Sequence, residues 1–465
     1  MAKVLIASLG DAKKKSGAYY YENANYYLAD KSYSDIYETP FVATAIKEFY
    51  NIDKIIFIGT VGSSWFLLYC YLYSKKNTYF IAEGIFEKDY FDDLELEYCK
   101  SKEDDAIKLK TQVDSMQNKL DKLKSSMGSI CRDIVVLEYG ITPEEQLKNL
   151  EILNRLADSL QDGDEVYFDI SHAFRSLPFY ELLAINLAKS IMQKNIRIEM
   201  VTYGMYEINE QNGNKTPIVD MTQLIELLDW TRAVDEYNRK GSFDLLLDLM
   251  SNKSYIVENF NELMSNKVKQ SFMNLIKTMS LTHNYGDLAT MIKMSSNALI
   301  NLNKTLNHPT LMIMYQITKQ IIDFFERYKE DRVALIYAFV QWKINKGQIV
   351  LGTLLLMDAI ECTFLDILGV LYSNKENDKK IYKAKRKEVH EKLVYISRAD
   401  PYVKSYIERY KELRDVRNDL AHPEPIGKKD FLGYMICEAK FFKETYLENL
   451  APGKPKRKVF YDLLR

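Results

Sequence analysis

The chain has few of the residues that build metal clusters and disulfide frameworks. Its 465 residues include only five cysteines and five histidines. The cysteines are odd in number and show neither metal-ligand nor disulfide spacing; they are Cys70, Cys99, Cys131, Cys362 and Cys437. This usage indicates a reducing compartment, so we expect a cytoplasmic protein without a metal site.

Long apolar runs and a strong charge of one sign are also absent. No apolar stretch approaches the ~20 residues of a membrane span, and the opening MAKVLIASLG is typical of a buried strand rather than a signal peptide. We therefore expect no membrane partner. The net charge is only −2, so the surface as a whole does not favour polyanions. Contact with a nucleic acid would need a local basic patch.

Strand and helix signals alternate in the first part of the chain, which predicts an α/β domain with a parallel-rich sheet. Five short apolar runs carry the strand signal: Val4–Gly10, Lys54–Thr60, Arg132–Gly140, Asp164–Ser171 and Ile196–Gly204. After about Thr222 only helical patterns remain. We predict an α/β domain over 1–221, an all-α connector over 222–340 and an all-α terminal domain over 341–465.

A charged stretch at about 100–127 interrupts the alternation. It is rich in helix formers, and we expect a solvated helical excursion. Its weak heptad-like apolar positions are Leu109, Val113, Met116, Leu120 and Leu123.

Small or polar residues follow three of the predicted strands. The carboxyl ends of parallel strands meet at one edge of a sheet, where ligands bind. Glycines let backbone N–H groups approach an anion, and hydroxyl and guanidinium groups donate hydrogen bonds to it. We therefore predict a site for a phosphate-bearing ligand. Its candidate residues are Ser8, Leu9, Gly10, Thr60, Val61, Gly62, Ser63, Ser64, Ser171, His172, Ala173, Phe174 and Arg175.

Each of these loops also has an ordinary structural interpretation, since glycine commonly ends a strand. GTVGSSW (59–65) is neither the dinucleotide fingerprint nor a P-loop. Three such loops at one edge favour the ligand site over three unrelated turns. Asp169, at the end of its strand, is interpreted as a cap for the loop backbone.

RNDLAH (417–422) lies at the end of a helical stripe and directly precedes Pro423. Proline disfavours helix at His422, so we expect the helix to end or kink there. Arg417 and His422 could be cations at a helix C-terminus, or they could cleave RNA. Metal-free cleavage needs a base, an acid and a cation for the phosphorane, which histidine and arginine supply. Two chains around a two-fold axis would supply two of each.

Two basic segments, Lys379–Lys387 and Lys454–Lys458, fit either an RNA path or a solvated face. The remaining helical-region histidines have no partner at metal-ligand spacing and are interpreted as structural; they are His283, His308 and His390.

Two separated patterns resemble a known family. DEVYFDISHAFRSLP (164–178) resembles the strand–loop–helix signature of the CARF domain, and RNDLAH resembles the R-x(4–6)-H motif of HEPN ribonucleases. VLIASLG (4–10) and TPIVDMTQLIELLDW (216–230) are also similar to that family. The order along the chain resembles the CARF–HEPN ribonucleases of type III CRISPR systems, so the resemblance implies a Rossmann-like CARF domain, a helical connector and a HEPN domain.

The resemblance also implies an activity in antiviral defence. Such proteins are homodimers or larger assemblies that need no cofactor. Their CARF domains jointly bind the activator, a cyclic oligoadenylate, and this allosterically switches on metal-independent cleavage of single-stranded RNA. Carried over, Arg417 and His422 are the catalytic pair, with Asn418 as helper. We expect the cyclic tetra-adenylate as activator and 2′,3′-cyclic phosphate ends on the product.

Several alternatives stay open. Cyclic hexa-adenylate is the alternative activator. A ligand-sensing regulator that binds nucleic acid without cutting it is the alternative function. A DNA nuclease would need a carboxylate-rich metal site, which the C-terminal helices do not offer. The stretch at 100–127 is no part of the minimal CARF fold, so its role is open.

Overall fold

The computed structural model describes residues 2–15, 18–30, 35–77, 79–103, 112–171, 177–251, 266–280, 292–293, 309–370, 376–395, 401–421 and 430–464. The chain folds into two compact units, Met1–Ile225 and Glu226–Arg465. Across the described ranges, no helix is both long and apolar enough to cross a membrane.

The strands of the first unit are β1 Lys3–Ser8, β2 Lys13–Lys15, β3 Ala18–Tyr20, β4 Ala24–Leu28, β5 Tyr37–Thr39, β6 Lys54–Thr60, β7 Cys131–Leu137, β8 Glu165–Asp169, β9 Arg197–Gly204 and β10 Lys215–Asp220. Eight of them form one sheet in the order β5-β4-β10-β9-β8-β1-β6-β7. The five predicted strands form its parallel part, from β9 through β8, β1 and β6 to β7. The remaining three strands make the sheet mixed, because β10 runs antiparallel to β9 and β5 antiparallel to β4.

Helices cover this sheet, as the alternating pattern predicts. They are α1 Val42–Tyr50, α2 Trp65–Leu72, α3 Lys88–Glu103, α4 Gln112–Ser126, α5 Pro143–Ser159 and α6 Leu177–Ser190. Helix α5 starts as its sequence indicates, with Pro143 in the first turn and the Thr142 hydroxyl accepting from the Glu145 N–H at 3.3 Å. The parallel-rich, Rossmann-like character of the unit is therefore confirmed.

The order of the strands reverses at β1. If only the five parallel strands are followed, β6 and β7 come after β1 and lie on one side of it. The next two, β8 and β9, lie on the other side of β1. Ligands of open α/β sheets bind at such a reversal, beyond the carboxyl ends of the strands. The register pairs Ala7 with Asp169, which places Ser8 directly beyond this pair.

The stretch at about 100–127 is helical where it is described, at the end of α3 and in α4, but the prediction that it is solvated is wrong for α4. Val113, Met116, Leu120 and Leu123 of α4 are buried in the core beside the sheet, while Leu109 lies outside the described residues. Helix α4 also closes the edge strand β7. The Gln117 side-chain amide donates to the Ile134 carbonyl at 2.8 Å and accepts from the Val136 N–H at 3.0 Å. The apolar stripe that suggests a coiled coil packs against this domain instead.

The second unit is helical throughout its described residues. Its helices are α7 Thr222–Lys240, which begins in the last residues of the first unit, α8 Asp244–Ser251, α9 Asn266–Ser280, α10 Pro309–Phe325, α11 Arg332–Asn345, α12 Ile349–Ile367, α13 Glu376–Tyr395, α14 Pro401–Ala421, α15 Phe431–Thr445 and α16 Arg457–Leu464. Helix α11 is buried along most of its length and contacts α12 and α15, while α12 contacts α14. Helix α11 runs continuously through residue 340. The division into connector and terminal domain stays a prediction.

The burial of α4 predicts the effect of shortening one side chain. Leu120→Ala removes a fully buried side chain, so we expect the first unit to lose about 2–5 kcal/mol of unfolding free energy. Hydrogen exchange of the β6 and β7 amides under increasing urea measures this loss. The neighbouring exposed residue provides the control, Asp121→Ala, with little change expected. Equal stability of the two variants would mean that α4 is not part of the core.

Candidate functional site

The first two predicted ligand loops are fastened to each other at the carboxyl edge of the sheet. The Ser63 hydroxyl donates to the Leu9 carbonyl at 2.6 Å and accepts from the Thr60 N–H at 2.9 Å. The Ser64 N–H donates to the Gly10 carbonyl at 3.0 Å. Ser63 is fully buried, so its hydroxyl fixes the shape of the loops rather than meeting a ligand.

Gly62, in the second loop, has no room for a side chain. A Cβ at this position would collide with the hydroxyl of Tyr139. The flanking residues Thr60, Val61 and Ser64 are buried. Gly62 is buried as well, so its backbone is packed against the Tyr139 hydroxyl rather than open at the surface.

The third loop is described only at its first residue. The Ser171 hydroxyl donates to Asp169 Oδ1 at 2.5 Å and accepts from the Gly204 N–H at 2.7 Å, which ties the end of β8 to the end of β9. The other predicted residues of this loop lie outside the described residues: His172, Ala173, Phe174 and Arg175.

Two fully buried carboxyl groups lie at the strand reversal. Asp169 ends β8 and accepts hydrogen bonds from the hydroxyls of Ser171 and Thr202. Glu181, on α6, accepts a short hydrogen bond from Ser8. Within the described part of the chain, nothing donates to Asp169 Oδ2 or Glu181 Oε2. Asp169 therefore does accept from loop groups, as its cap interpretation anticipates, but it is also buried beside a second acid.

Burial controls the protonation of both acids. It raises the pKa of Asp169 to about 7, against the opposing effect of the Ser171 and Thr202 hydroxyls. It raises the pKa of Glu181 to about 8, with a further contribution from the charge of Asp169. Sequence reasoning missed Glu181. The signal was present, since Glu181 is the one acid in the otherwise apolar stretch LPFYELLAINLA (177–188).

Helix α3, which leads into the stretch at about 100–127 (the insertion), adjoins the first loop. Tyr98 of α3 donates a hydrogen bond to Asp11, and Lys102 Nζ lies 2.6 Å from Asp11 Oδ2. The Tyr98 ring packs edge-on against Tyr19 at 4.9 Å between centroids. The insertion therefore neutralises the acidic residue that follows Gly10, beside the predicted anion site.

In the second unit, Arg417 differs from another arginine of the same helix. Arg409 forms a forked ion pair with Glu438 and stacks on Phe441, with its guanidinium carbon 3.9 Å from the ring centre. Arg417 is half-buried, and no side chain of the described residues pairs with it. Asn418 is exposed. His422 lies outside the described residues, so its approach to Arg417 stays a prediction.

No metal site is evident in the part of the chain that the structure describes, since no three His, Cys, Asp or Glu side chains there group to hold an ion. What the site offers instead is backbone, hydroxyls and buried acids at a strand reversal. Open α/β sheets bind their ligands at this point, while the fold alone does not determine which ligand is bound.

Comparison with known proteins identifies the domain more closely. Residues 4–207 match the family model described as CRISPR system endoribonuclease Csx1, CARF domain. CRISPR-associated protein MJ1674 of Methanocaldococcus jannaschii is 24% identical over 443 residues, which are 92% of this chain and 63% of that protein. The chain thus spans less than two thirds of this relative's length. Residues 4–207, which make up most of the first unit, thus match a CARF domain, and the relative found by sequence is a CRISPR-associated protein.

A likeness is also found among solved structures. Enterococcus italicus Csm6 bound to cyclic hexa-2′-fluoro-hexa-dAMP is similar to this chain with a TM-score of 0.34 and 11% identity. The match covers 100% of this chain and 97% of the Csm6 chain.

The buried acids predict that the first unit loses stability as pH rises. Both folded pKa values lie above the ordinary ones, so the folded state holds protons that the unfolded chain has released. The resulting stability is fully present below about pH 4, declines by up to ~1.4 kcal/mol per pH unit for each group, and is lost above about pH 8. Hydrogen exchange of the β1 and β8 amides from pH 5 to pH 9, corrected for intrinsic rates, measures the decline.

The variant Glu181→Gln cannot titrate and should flatten this dependence. The exposed acid of α5 supplies the control, Glu151→Gln, which should keep the wild-type slope. A wild-type unit whose stability stays constant or rises over this pH range would contradict the assignment.

Proposed function

We propose that this protein is a single-stranded endoribonuclease that needs no metal and is activated by a cyclic oligoadenylate. The activator binds two CARF domains of a homodimer, which can assemble further, and the helical unit contains a HEPN domain that cuts RNA. The observation that carries the proposal is the position of Arg417. It is a half-buried arginine without a described partner, five residues before His422, in a chain whose residues 4–207 match a CARF family model.

The chemistry of this pair accounts for cleavage without a metal. The guanidinium of Arg417 binds a phosphate through two hydrogen bonds and stabilises the charge of the phosphorane. The imidazole of His422 exchanges protons near neutral pH, and Asn418 adds a hydrogen-bonding amide. Attack by the 2′-hydroxyl leaves a 2′,3′-cyclic phosphate, and DNA, which lacks that hydroxyl, is not cut.

The ligand site fits a phosphate-bearing ring at the strand reversal. Gly10 and Gly62 lie in the loops after β1 and β6, Ser8 and Ser171 hold the ends of β1 and β8, and His172–Arg175 supply the cation and the stacking ring. Two copies of these loops around a two-fold axis match a ring of repeated nucleotides. We propose the tetra-adenylate ring, with the hexa-adenylate ring as the alternative.

An exposed apolar surface supports the homodimer. Phe179 and Leu183 lie one turn apart on α6, directly after the third loop, with exposed fractions of 72% and 52%. The adjoining helix α5 exposes Leu147 and Leu150. Exposed apolar patches of this kind mark protein interfaces. A second copy is the occupant that would bring two ligand sites together.

The surface on α6 predicts the assembly state. Asp in place of either residue, Phe179→Asp or Leu183→Asp, buries an unpaired charge in the interface, so we expect monomers at micromolar concentration. Sedimentation velocity measures the mass. An exposed leucine of α3 provides the control, Leu96→Asp, which should stay dimeric. Dimers of unchanged stability in both α6 variants would place the interface elsewhere.

The activity is tested with purified protein, labelled single-stranded RNA, EDTA, and rings of three, four or six adenylates. We expect cleavage in EDTA only when a ring is present, and 2′,3′-cyclic phosphate products. The variants Arg417→Ala and His422→Ala should lose at least about 100-fold in kcat. An exposed cation of the same helix gives the control, Lys404→Ala, with wild-type activity.

Three outcomes would change the conclusion. RNA binding without cleavage under any ring would favour the ligand-sensing regulator. Cleavage that EDTA abolishes would remove the metal-independent mechanism. Full activity in the Arg417 and His422 variants would mean that the catalytic residues lie elsewhere.

A further inference from the structure

Helix α13 carries a histidine that the Arg417–His422 pair does not use. His390 Nδ1 lies 2.9 Å from the hydroxyl oxygen of Tyr410 on α14. The same hydroxyl reaches Glu361 Oε1 on α12 at 3.4 Å, and Arg386 holds the other oxygen of Glu361. Tyr410 and Glu361 are buried. A line of polar contacts thus runs from Glu361 through Tyr410 to His390, across three helices.

The chemistry of these groups fixes the direction of the hydrogen bonds. The Glu361 carboxylate accepts hydrogen bonds from both Arg386 and Tyr410. Tyr410 therefore donates to Glu361, and its oxygen is left to accept from His390. Burial, first, and the charge of Glu361, second, raise the pKa of Tyr410, so it keeps its proton. In the neutral ring, His390 consequently carries its proton on Nδ1 and a lone pair on Nε2.

The imidazole ring of His390 lies between the core and a basic surface. Lys380, Lys383, Lys387 and His390 follow one another at spacings of three, four and three residues, which places them on one face of α13. The side chains of Lys387 and His390 are 81% and 36% exposed. Because Nδ1 points to the buried Tyr410, the opposite ring edge with Nε2 points away from the core. This edge adjoins a row of cations suited to an RNA backbone.

Arg417 lies on the same face of α14 as Tyr410. Tyr410, Arg414 and Arg417 are four and seven residues apart on α14 and share one of its faces. Both guanidiniums act electrostatically on the Tyr410 hydroxyl, to which His390 is hydrogen-bonded. Two helical turns, about 10 Å, separate Tyr410 from Arg417 along the helix axis, a distance that the two side chains and one phosphate can span.

We propose that His390 is a further catalytic residue of the ribonuclease site, the general base for the attacking 2′-hydroxyl. This inference rests on the proposed function. The Nε2 lone pair accepts the 2′-hydroxyl proton, the O2′–phosphorus bond forms and the phosphorus–O5′ bond breaks. The leaving O5′ takes a proton from the His422 imidazolium, which yields a 2′,3′-cyclic phosphate and a 5′-hydroxyl.

The buried partners explain how His390 can hold the extra proton. Its Nδ1 is 3.8 Å from Glu361 Oε1, so the carboxylate stabilises the imidazolium while Tyr410 keeps the ring oriented. This is the division of roles between base and carboxylate in a catalytic triad, with a tyrosine between them. Tyr410 and Glu361 are positioning residues in this scheme.

Substitutions at His390 separate the two ring nitrogens. In the variant His390→Asn the amide takes the place of Nδ1 and keeps a partner for Tyr410, but Nε2 is gone. In His390→Gln the amide lies near the place of Nε2 but cannot accept a proton. In full-length, ring-activated protein we expect both to lose about 100-fold in kcat, with KM within threefold. Tyr410→Phe keeps the imidazole and should lose about tenfold.

A second substrate identifies the step. Sulfur in place of the leaving 5′ oxygen makes a leaving group that needs no acid. This substrate should restore cleavage by His422→Ala but not by His390→Asn. Binding of a non-cleavable 2′-deoxy RNA should be equal in wild type and both His390 variants. A hydroxyl of α14 away from His390 provides the control, Tyr402→Phe, which should cleave at the wild-type rate.

Several results would overturn the assignment. Wild-type kcat in His390→Asn would exclude the base. A loss of RNA binding that matches the loss of activity would make His390 a phosphate contact only, and rescue of His390→Asn by the sulfur substrate would make it the acid. A wild-type protein that cleaves no RNA under any ring would instead refute the proposed function.

Discussion

The pairing of β1 with a parallel neighbour on each side is the constraint on which the candidate ligand site depends. β6 and β8 are held in register with β1 by the backbone ladder, so their three carboxyl ends must meet at one edge. The loop contacts then follow, because Ser63 can reach the Leu9 carbonyl only when β1 and β6 end at the same level. The polar groups of the site are thus positioned by the most buried part of the unit.

Burial in this unit also has an electrostatic consequence. A carboxyl group placed at the end of a central strand, or on the sheet-facing side of α6, is removed from water and tends to keep its proton. Asp169 and Glu181 therefore add polarity to the strand reversal without adding the full negative charge that would repel a phosphate. The insertion acts in the same direction, since Lys102 and Tyr98 engage Asp11 next to Gly10.

Four of the parallel strands, β1, β6, β7 and β8, could be predicted from the sequence because each contains a short apolar run, as strands buried on both faces do. The fifth predicted strand, β9, mixes apolar with charged residues and is buried only in part. The outer strands escaped prediction for physical reasons. β4 and β5 are rich in tyrosine and too short for a clear period, and β10 contains Pro217, which argues against a strand. The insertion was misjudged because its apolar stripe is narrow and its charges are many. Only its neighbours in the fold decide that the stripe is buried.

In the candidate sites, too, contacts between residues distant in the sequence could not be predicted. Loop residues could be predicted because polar residues after apolar runs are visible along the chain. The roles within the loops could not, since the engagement of Ser63 with Leu9 joins residues 54 positions apart. His390 was interpreted as structural because it has no partner at metal-ligand spacing, and its contacts with Tyr410 and Glu361 join residues that are distant in the sequence. Glu361 lies on α12, among mainly apolar residues that also include Asp358 and Asp366, and only packing brings the three groups together.

The closing of the sheet by Gln117 bears on how copies of this protein can join. At one border strand, β7, a side-chain amide engages the peptide groups of Ile134 and Val136, and the other border strand, β5, spans only three residues. Neither border offers a long template of open peptide groups to a second polypeptide. Growth of the sheet from one molecule into the next is therefore disfavoured, which protects a sheet with several tyrosines from fibril-like stacking.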